Sequence, residues 1–163
     1  DSWIDCFDDL LEKAVKHFKP DIIVSQHGCD AHAFDPLSHV HCSMDIYKHM
    51  PRTIHNLAHT YCEGRWIALG GGGYDIWRVV PRAWSLLWME MTDYELIKKL
   101  DQRPLLSLPD QWISRWQPYS KEQLPTTWLD DKEGDSWIRM PRRKHIRAQN
   151  EEMKRVASLY LNP

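Results

Sequence analysis

One short stretch of the chain is dense in side chains that can bind a metal ion or transfer a proton. Residues 27–42 read HGCDAHAFDPLSHVHC and contain four histidines, two cysteines and two aspartates. Closed structural zinc sites use CxxC or HxxxH pairs, and these side chains form no standard pair of pairs. The spacing therefore disfavours a structural zinc module, and leaves either an ordinary polar loop or part of a catalytic site.

A second stretch, GGGGYD at residues 70–75, is unusually rich in glycine. It is not a Walker loop, because no Gly-Lys-Ser/Thr follows, and it lacks the G-x-G-x-x-G spacing of a dinucleotide site. Consecutive glycines are costly in backbone entropy. Such a run indicates that another group must approach the backbone closely, or that the turn needs positive φ. A plain strand-to-helix turn rarely needs so many.

The elements around these stretches predict alternating helices and strands. An amphipathic helix over residues 3–18 precedes a strand at 21–25, which we expect to be buried and parallel. A second helix is expected to begin at Pro51 and to end near Gly64, and a second strand follows at 65–69. This alternation predicts an α/β fold with a parallel sheet.

A third helix is expected after the glycine run, and two starting points are open. Asp75 can cap it, with Pro81 producing a kink, or the helix starts after Val80. Both polar stretches then follow the carboxyl ends of parallel strands, which is the edge where open α/β sheets bind ligands. We therefore expect Asp35 and Tyr74 to meet there. The inner face of the helix is predicted to carry Ile76, Val79, Val80, Ala83, Trp84, Leu87, Trp88 and Met91.

The chain beyond residue 101 is predicted to be an irregular tail. Prolines interrupt its pattern, and we expect it to wrap the body and to be pinned by buried tryptophans at positions 112, 116 and 128. A final helix is expected over residues 147–161, which are good helix formers. Residues 1–100 would form the α/β portion with the site loops, and residues 101–163 the tail.

Composition narrows the classes of protein. The chain has 163 residues and a formal net charge of −2, which gives no sign of nucleic-acid or membrane binding. No apolar run approaches the ~18 residues of a membrane span. Four cysteines without a CxxC favour reduced thiols and a cytoplasmic protein. The first residues are not a signal peptide, and they suggest a start inside a longer chain.

Together, SQHGCDAHAFDPL and GGGGYDIWRVVPRAW resemble the C-terminal half of the zinc-dependent histone deacetylase family, in its bacterial acetoin-utilisation branch. The resemblance implies an arginase-like three-layer α/β fold and hydrolysis of acetyl-lysine by one catalytic zinc ion. It implies that Asp35 is a metal ligand and that Tyr74 donates a hydrogen bond to the oxyanion. Gly71, Gly72 and Gly73 would lie beside a narrow substrate tunnel. Cys42 falls near a position at the rim of that tunnel.

The sequence also departs from the family pattern. It has no Asp-x-His metal pair at a matching position and no adjacent His-His pair to act as general base. We therefore expect the chain to be a C-terminal part of a single deacetylase domain, inactive alone, that self-associates or pairs with the missing N-terminal half. The four histidines of residues 27–42 are not assigned as metal ligands, because nothing in the family pattern supports that role. The alternatives are a non-catalytic partner-binding module and a deacetylase of polyamines or other small amides.

Overall fold

A computed structural model describes residues 2–134, 137 and 142–161. The chain divides into two compact units, one of Asp1–Ser25, Thr53–Ala68 and Arg139–Pro163, the other of Gln26–Arg52 and Leu69–Ile138. The predicted division at residue 100 stays a prediction. In the described residues, no helix is both long enough and apolar enough to cross a membrane. The elements are α1 (Ser2–Phe18), β1 (Ile23–Gln26), α2 (Asp45–Tyr61), β2 (Trp66–Leu69), α3 (Val80–Met91), α4 (Glu95–Gln102), α5 (Asp110–Trp116), a 3₁₀ turn (Gln117–Tyr119) and α6 (Arg143–Leu161).

Helices α1 and α6 pack against each other in the first unit. Both were predicted, and α6 begins four residues earlier than the expected start at 147. The Nδ2 of Asn150 donates to the hydroxyl of Ser2 at 2.9 Å, and the Lys154 ammonium lies 2.6 Å from Asp9. The apolar stripe of α1, together with these polar contacts, holds the two helices together.

Strands β1 and β2 form a two-stranded parallel sheet. In the first unit the amide of Ile23 donates to the carbonyl of Arg65, and in the second the amide of His27 donates to that of Leu69. Both strands were predicted, but the expected burial of the first is wrong, because Val24 is 57% exposed. Alternate side chains on each strand remain open to solvent.

Helix α2 begins at Asp45, six residues before the predicted start at Pro51, which lies inside the helix. The first turn is stabilised from outside, because the amide of Met44 donates to the carboxylate of Asp130 at 2.6 Å. A helix start that is capped by a distant residue leaves no cap signal in the local sequence.

Helix α3 begins at Val80, within one residue of the second predicted starting point, and Pro81 lies in its first turn. The predicted inner face is partly wrong. Four of the residues predicted to face inward are exposed: Ile76, Trp84, Trp88 and Met91. The charged side chains of Arg82 and Glu90 are buried instead. The helix therefore buries a different face from the one that its apolar residues alone predict.

The tail contains more regular structure than predicted, since α5 and a 3₁₀ turn interrupt it. Its tryptophans are half-buried and are not its main anchors. The buried apolar residues are instead Leu108, Leu124 and Leu129. The expectation that buried tryptophans pin the tail is therefore wrong.

Candidate functional site

The two polar loops meet at Asp35, whose side chain is almost completely buried. Its Oδ2 accepts the backbone amide of Tyr74 at 2.9 Å. Its Oδ1 accepts the amides of Leu37 at 2.9 Å and Ser38 at 3.1 Å. The structure thus places Asp35 directly against the glycine loop, as the parallel-strand geometry predicted, while the chemical roles of Asp35 and Tyr74 stay predictions.

The carboxyl group of Asp35 is held in its ionised form. Burial alone would raise its pKa, but the amides of Tyr74, Leu37 and Ser38 outweigh burial and lower the pKa below its usual value. The backbone amide of Asp75 lowers the pKa of Asp35 further. An ionised carboxylate is the form that binds a metal ion.

The glycine run lies against the loop that follows β1. A Cβ added at Gly71 would lie 2.8 Å from both the Cα and the nitrogen of Gly28. One added at Gly72 would collide with the carboxylate of Asp30, and one at Gly73 with the thiol of Cys29. None of these glycines has positive φ. Close approach between the two loops therefore explains the run, and a special turn conformation does not.

A second set of contacts joins the loops around Asp75. The Nε of Arg78 donates to Oδ2 of Asp75 at 2.7 Å, and the amide of Arg78 donates to Oδ1 at 2.7 Å. The Arg78 guanidinium carbon also lies 4.5 Å from the centroid of the Phe34 ring, within cation–π distance. Arg78 therefore links Asp75, which follows Tyr74, to Phe34, which precedes Asp35.

His32 is completely buried and has no free nitrogen for a metal ion. Its Nδ1 accepts the amide of Phe34 at 3.1 Å, and its Nε2 contacts Oδ2 of Asp130 at 2.9 Å. Across the ranges 2–134 and 142–161 and at residue 137, no three His, Cys, Asp or Glu side chains cluster closely enough to hold a metal ion. Asp35 therefore fits as one ligand, and the described residues do not complete a zinc site.

The two cysteines of the same loop are buried. Burial raises the pKa of the Cys29 thiol to about 11, and the charges of Asp30 and Asp35 add to this effect. Burial also raises the pKa of Cys42 to about 11. At neutral pH these buried thiols are protonated and pack as small apolar side chains.

The sequence reasoning missed Asp130 and Arg82, which form a buried ion pair at 3.0 Å behind the loops. An arginine in the apolar run VVPRAW was the available signal, because a charge at a buried helical position requires a partner. Nothing local identified Asp130 as that partner, since it lies 48 residues further along the chain.

Comparison with known proteins gives a consistent result. The histone deacetylase domain family matches residues 1–91. The acetoin utilization protein AcuC of Bacillus subtilis is 43% identical over 150 residues, which are 92% of this chain and 36% of that protein. AcuC of Staphylococcus xylosus is 46% identical over 145 residues, 89% of this chain and 35% of the relative. The chain thus spans little more than a third of the length of these relatives.

Proposed function

The chain belongs to the histone deacetylase family, and from this premise we propose that the protein hydrolyses the amide of acetylated lysine with one catalytic zinc ion. The observation that carries the proposal is the hydrogen bond that places the ionised Asp35 against the loop bearing Tyr74. A module that had lost catalysis would have no need to retain both a metal-binding carboxylate and a neighbouring phenol.

The residues of the chain have distinct roles in this proposal. Zinc held by Asp35 would supply the positive charge that polarises the acetyl carbonyl and acidifies water. The Tyr74 side chain is half exposed, which leaves its hydroxyl accessible to donate a hydrogen bond to the developing oxyanion. Gly71, Gly72 and Gly73 would line the passage for the lysine arm, in addition to permitting close contact between the loops.

We further propose that the other metal ligands and the histidine base lie outside residues 1–163. This is supported by the single candidate ligand among the described residues and by the greater length of the relatives. A partner-binding role is the second candidate, and the exposed tryptophans of α3 favour it. The two candidates differ in whether the complete protein turns over an acetylated amide.

The decisive experiment replaces Tyr74 by Phe in the complete protein. We expect zinc content and KM to stay near wild type and kcat to fall about 10²- to 10³-fold, because the lost hydrogen bond is strongest in the transition state. Tyr94→Phe is the matched control, since Tyr94 is equally exposed at 50%. A Tyr74→Phe protein that matches this control in kcat would remove Tyr74 from the reaction.

Asp35→Asn tests whether Asp35 is a zinc ligand. The variant should lower zinc content and abolish most turnover, whereas Asp101→Asn, at a carboxylate that binds Arg52 and Lys48, should do neither.

The substrate class is tested by assaying an acetyl-lysine peptide and an acetylated polyamine in parallel. Residues 1–163 alone should neither retain zinc against a chelator nor turn over substrate, and stoichiometric zinc with turnover would show that the site is self-sufficient.

A further inference from the structure

We propose that Asp130 is a positioning residue that holds both loops of the candidate site in place. The inference deepens the proposed function, because it names a side chain outside the family-matched residues 1–91 on which the geometry of Asp35 and Tyr74 depends. Asp130 itself touches neither of these residues in any described contact.

Asp130 is a buried acceptor shared by three elements of the second unit. Its side chain is 6% exposed. Oδ2 accepts hydrogen bonds from His32, in the loop after β1, and from the amide of Met44, at the start of α2. Oδ1 accepts a hydrogen bond from Nη1 of Arg82, in α3, at 3.0 Å. One carboxylate therefore connects the segments that flank both site loops.

The first path of contacts leads from Asp130 to Asp35. Because Nδ1 of His32 accepts the amide of Phe34, the imidazole proton lies on Nε2 and is donated to Asp130. The ring is fixed at both nitrogens, and the carbonyl of His32 accepts the amide of Asp35 at 3.0 Å. The contacts that hold His32 in place therefore also help to fix the backbone position of Asp35.

The second path leads from Asp130 to the residue beside Tyr74. Arg82, which is completely buried, donates from Nε to the carbonyl of Arg78 at 2.6 Å while Nη1 binds Asp130. Arg78 in turn binds both carboxylate oxygens of Asp75. Release of Arg82 from Asp130 would therefore loosen the turn that begins directly after Tyr74.

The test compares two variants with a matched control in the complete protein. Asp130→Asn removes the charge, and the milder His32→Leu, which has no donor for Asp130, cuts only the first path. Glu90→Gln is the control, because Glu90 is another buried carboxylate of the same unit whose partner, Arg52, touches neither site loop. Hydrogen exchange is measured at the amides of Leu37, Ser38 and Tyr74, which donate to Asp35, alongside zinc affinity and steady-state kinetics.

We expect both site variants to speed exchange at these three amides at least about tenfold and to lower zinc affinity or kcat about tenfold. This is the low end of the range for losing a partner bonded directly to a metal ligand, because Asp130 acts on Asp35 only through His32. Glu90→Gln should lower the melting temperature and leave all three readouts unchanged. If His32→Leu melts early but exchanges and turns over like Glu90→Gln, Asp130 only stabilises the fold and the proposal is wrong. If the wild type lacks zinc and turnover, the proposed function fails, while amide exchange still decides whether Asp130 positions the loops.

Discussion

The inward face of helix α3 carries two charged side chains, whereas its outward face carries two tryptophans. Arg82 and Glu90 are 1% and 5% exposed, while Trp84 and Trp88 are 37% and 56% exposed. A helix at a protein surface normally shows the reverse arrangement, with apolar side chains inside and charges outside. The two faces therefore meet different requirements.

The inward charges are paired within the same unit. Arg82 binds Asp130 at 3.0 Å, and Glu90 lies 2.8 Å from the guanidinium of Arg52. For Trp84 and Trp88, the described residues provide only partial burial, including a contact between the rings of Trp88 and Tyr94 at 5.5 Å. The comparison teaches that the charges behind the site loops are paired within the described residues, whereas the tryptophans on the other face of α3 stay exposed to solvent.

The largest expected loss of stability comes from removing the buried ion pair on the inward face of α3. Arg82→Met leaves Asp130 as a buried charge without its main counter-charge, which typically costs about 3–5 kcal/mol. Adding Asp130→Asn should recover much of this loss, because the double variant leaves no buried charge without a counter-charge. Urea unfolding of the three variants provides the measurement, and a loss under about 1 kcal/mol for Arg82→Met would mean that this face is not buried as described.

Low pH should destabilise the protein by protonating Asp130 on the same inward side of α3. Burial would raise the pKa of Asp130, but the His32 hydrogen bond, the charge of Arg82 and the Met44 amide lower it to about 2. A carboxyl with a lowered pKa contributes stability above its unfolded pKa and loses it as the pH falls towards the folded value. Asp130 should thus contribute about 2 kcal/mol that disappears between about pH 4 and pH 2.

This loss is measured as the difference in unfolding free energy between pH 5 and pH 2. The Arg82→Met/Asp130→Asn double variant should lose about 2 kcal/mol less than the wild type over that interval. Equal losses in the two proteins would show that Asp130 does not drive the acid response.

Glu90→Gln should have a smaller effect at neutral pH. Burial raises the pKa of Glu90 despite the nearby guanidinium of Arg52, so the charged form is not strongly favoured by folding. Arg52 also keeps a second carboxylate, that of Asp101 at 2.7 Å. We expect a loss of about 1 kcal/mol, in the range of an ordinary hydrogen bond, because the glutamine oxygen can still accept from Arg52. A loss as large as that of Arg82→Met would show that the two inward charges are equally dependent on their partners.

The smallest effect on stability should come from the outward face. Trp88→Lys in residues 1–163 is expected to change the unfolding free energy by no more than about 0.5 kcal/mol, because the side chain is already largely exposed. Sedimentation should show less self-association than for the wild type. A strongly destabilised variant that remains as associated as the wild type would contradict the description of this face as uncovered.

Periodicity and turn chemistry were enough to predict most of the local structure. The stripe of α1, the strands and the position of Asp35 beside the glycine loop follow from residue spacing and from the rule for parallel strands. These features depend on neighbours in the sequence or on general sheet geometry. The metal and oxyanion roles came only from the family resemblance and stay predictions.

The features that were missed depend on contacts between distant residues. The early start of α2 needs an acceptor 86 residues further along the chain, and the buried position of Arg82 needs the same carboxylate. Apolar patterning placed Trp84 inside, because it has no means of recognising a buried ion pair. Both errors therefore have one physical source, the long-range hydrogen bonds of Asp130.

The location of Asp130 has a practical consequence for anyone who trims this protein. A cut after Met91 follows the boundary of the family match and preserves Asp35, Tyr74 and the whole glycine run. It also discards the acceptor for Met44, His32 and Arg82, together with the carbonyls of Thr127 and Trp128 that face Arg82. The family match and the supporting contacts therefore end at different residues, and the shorter product would keep both motifs while losing the side chain that holds their loops.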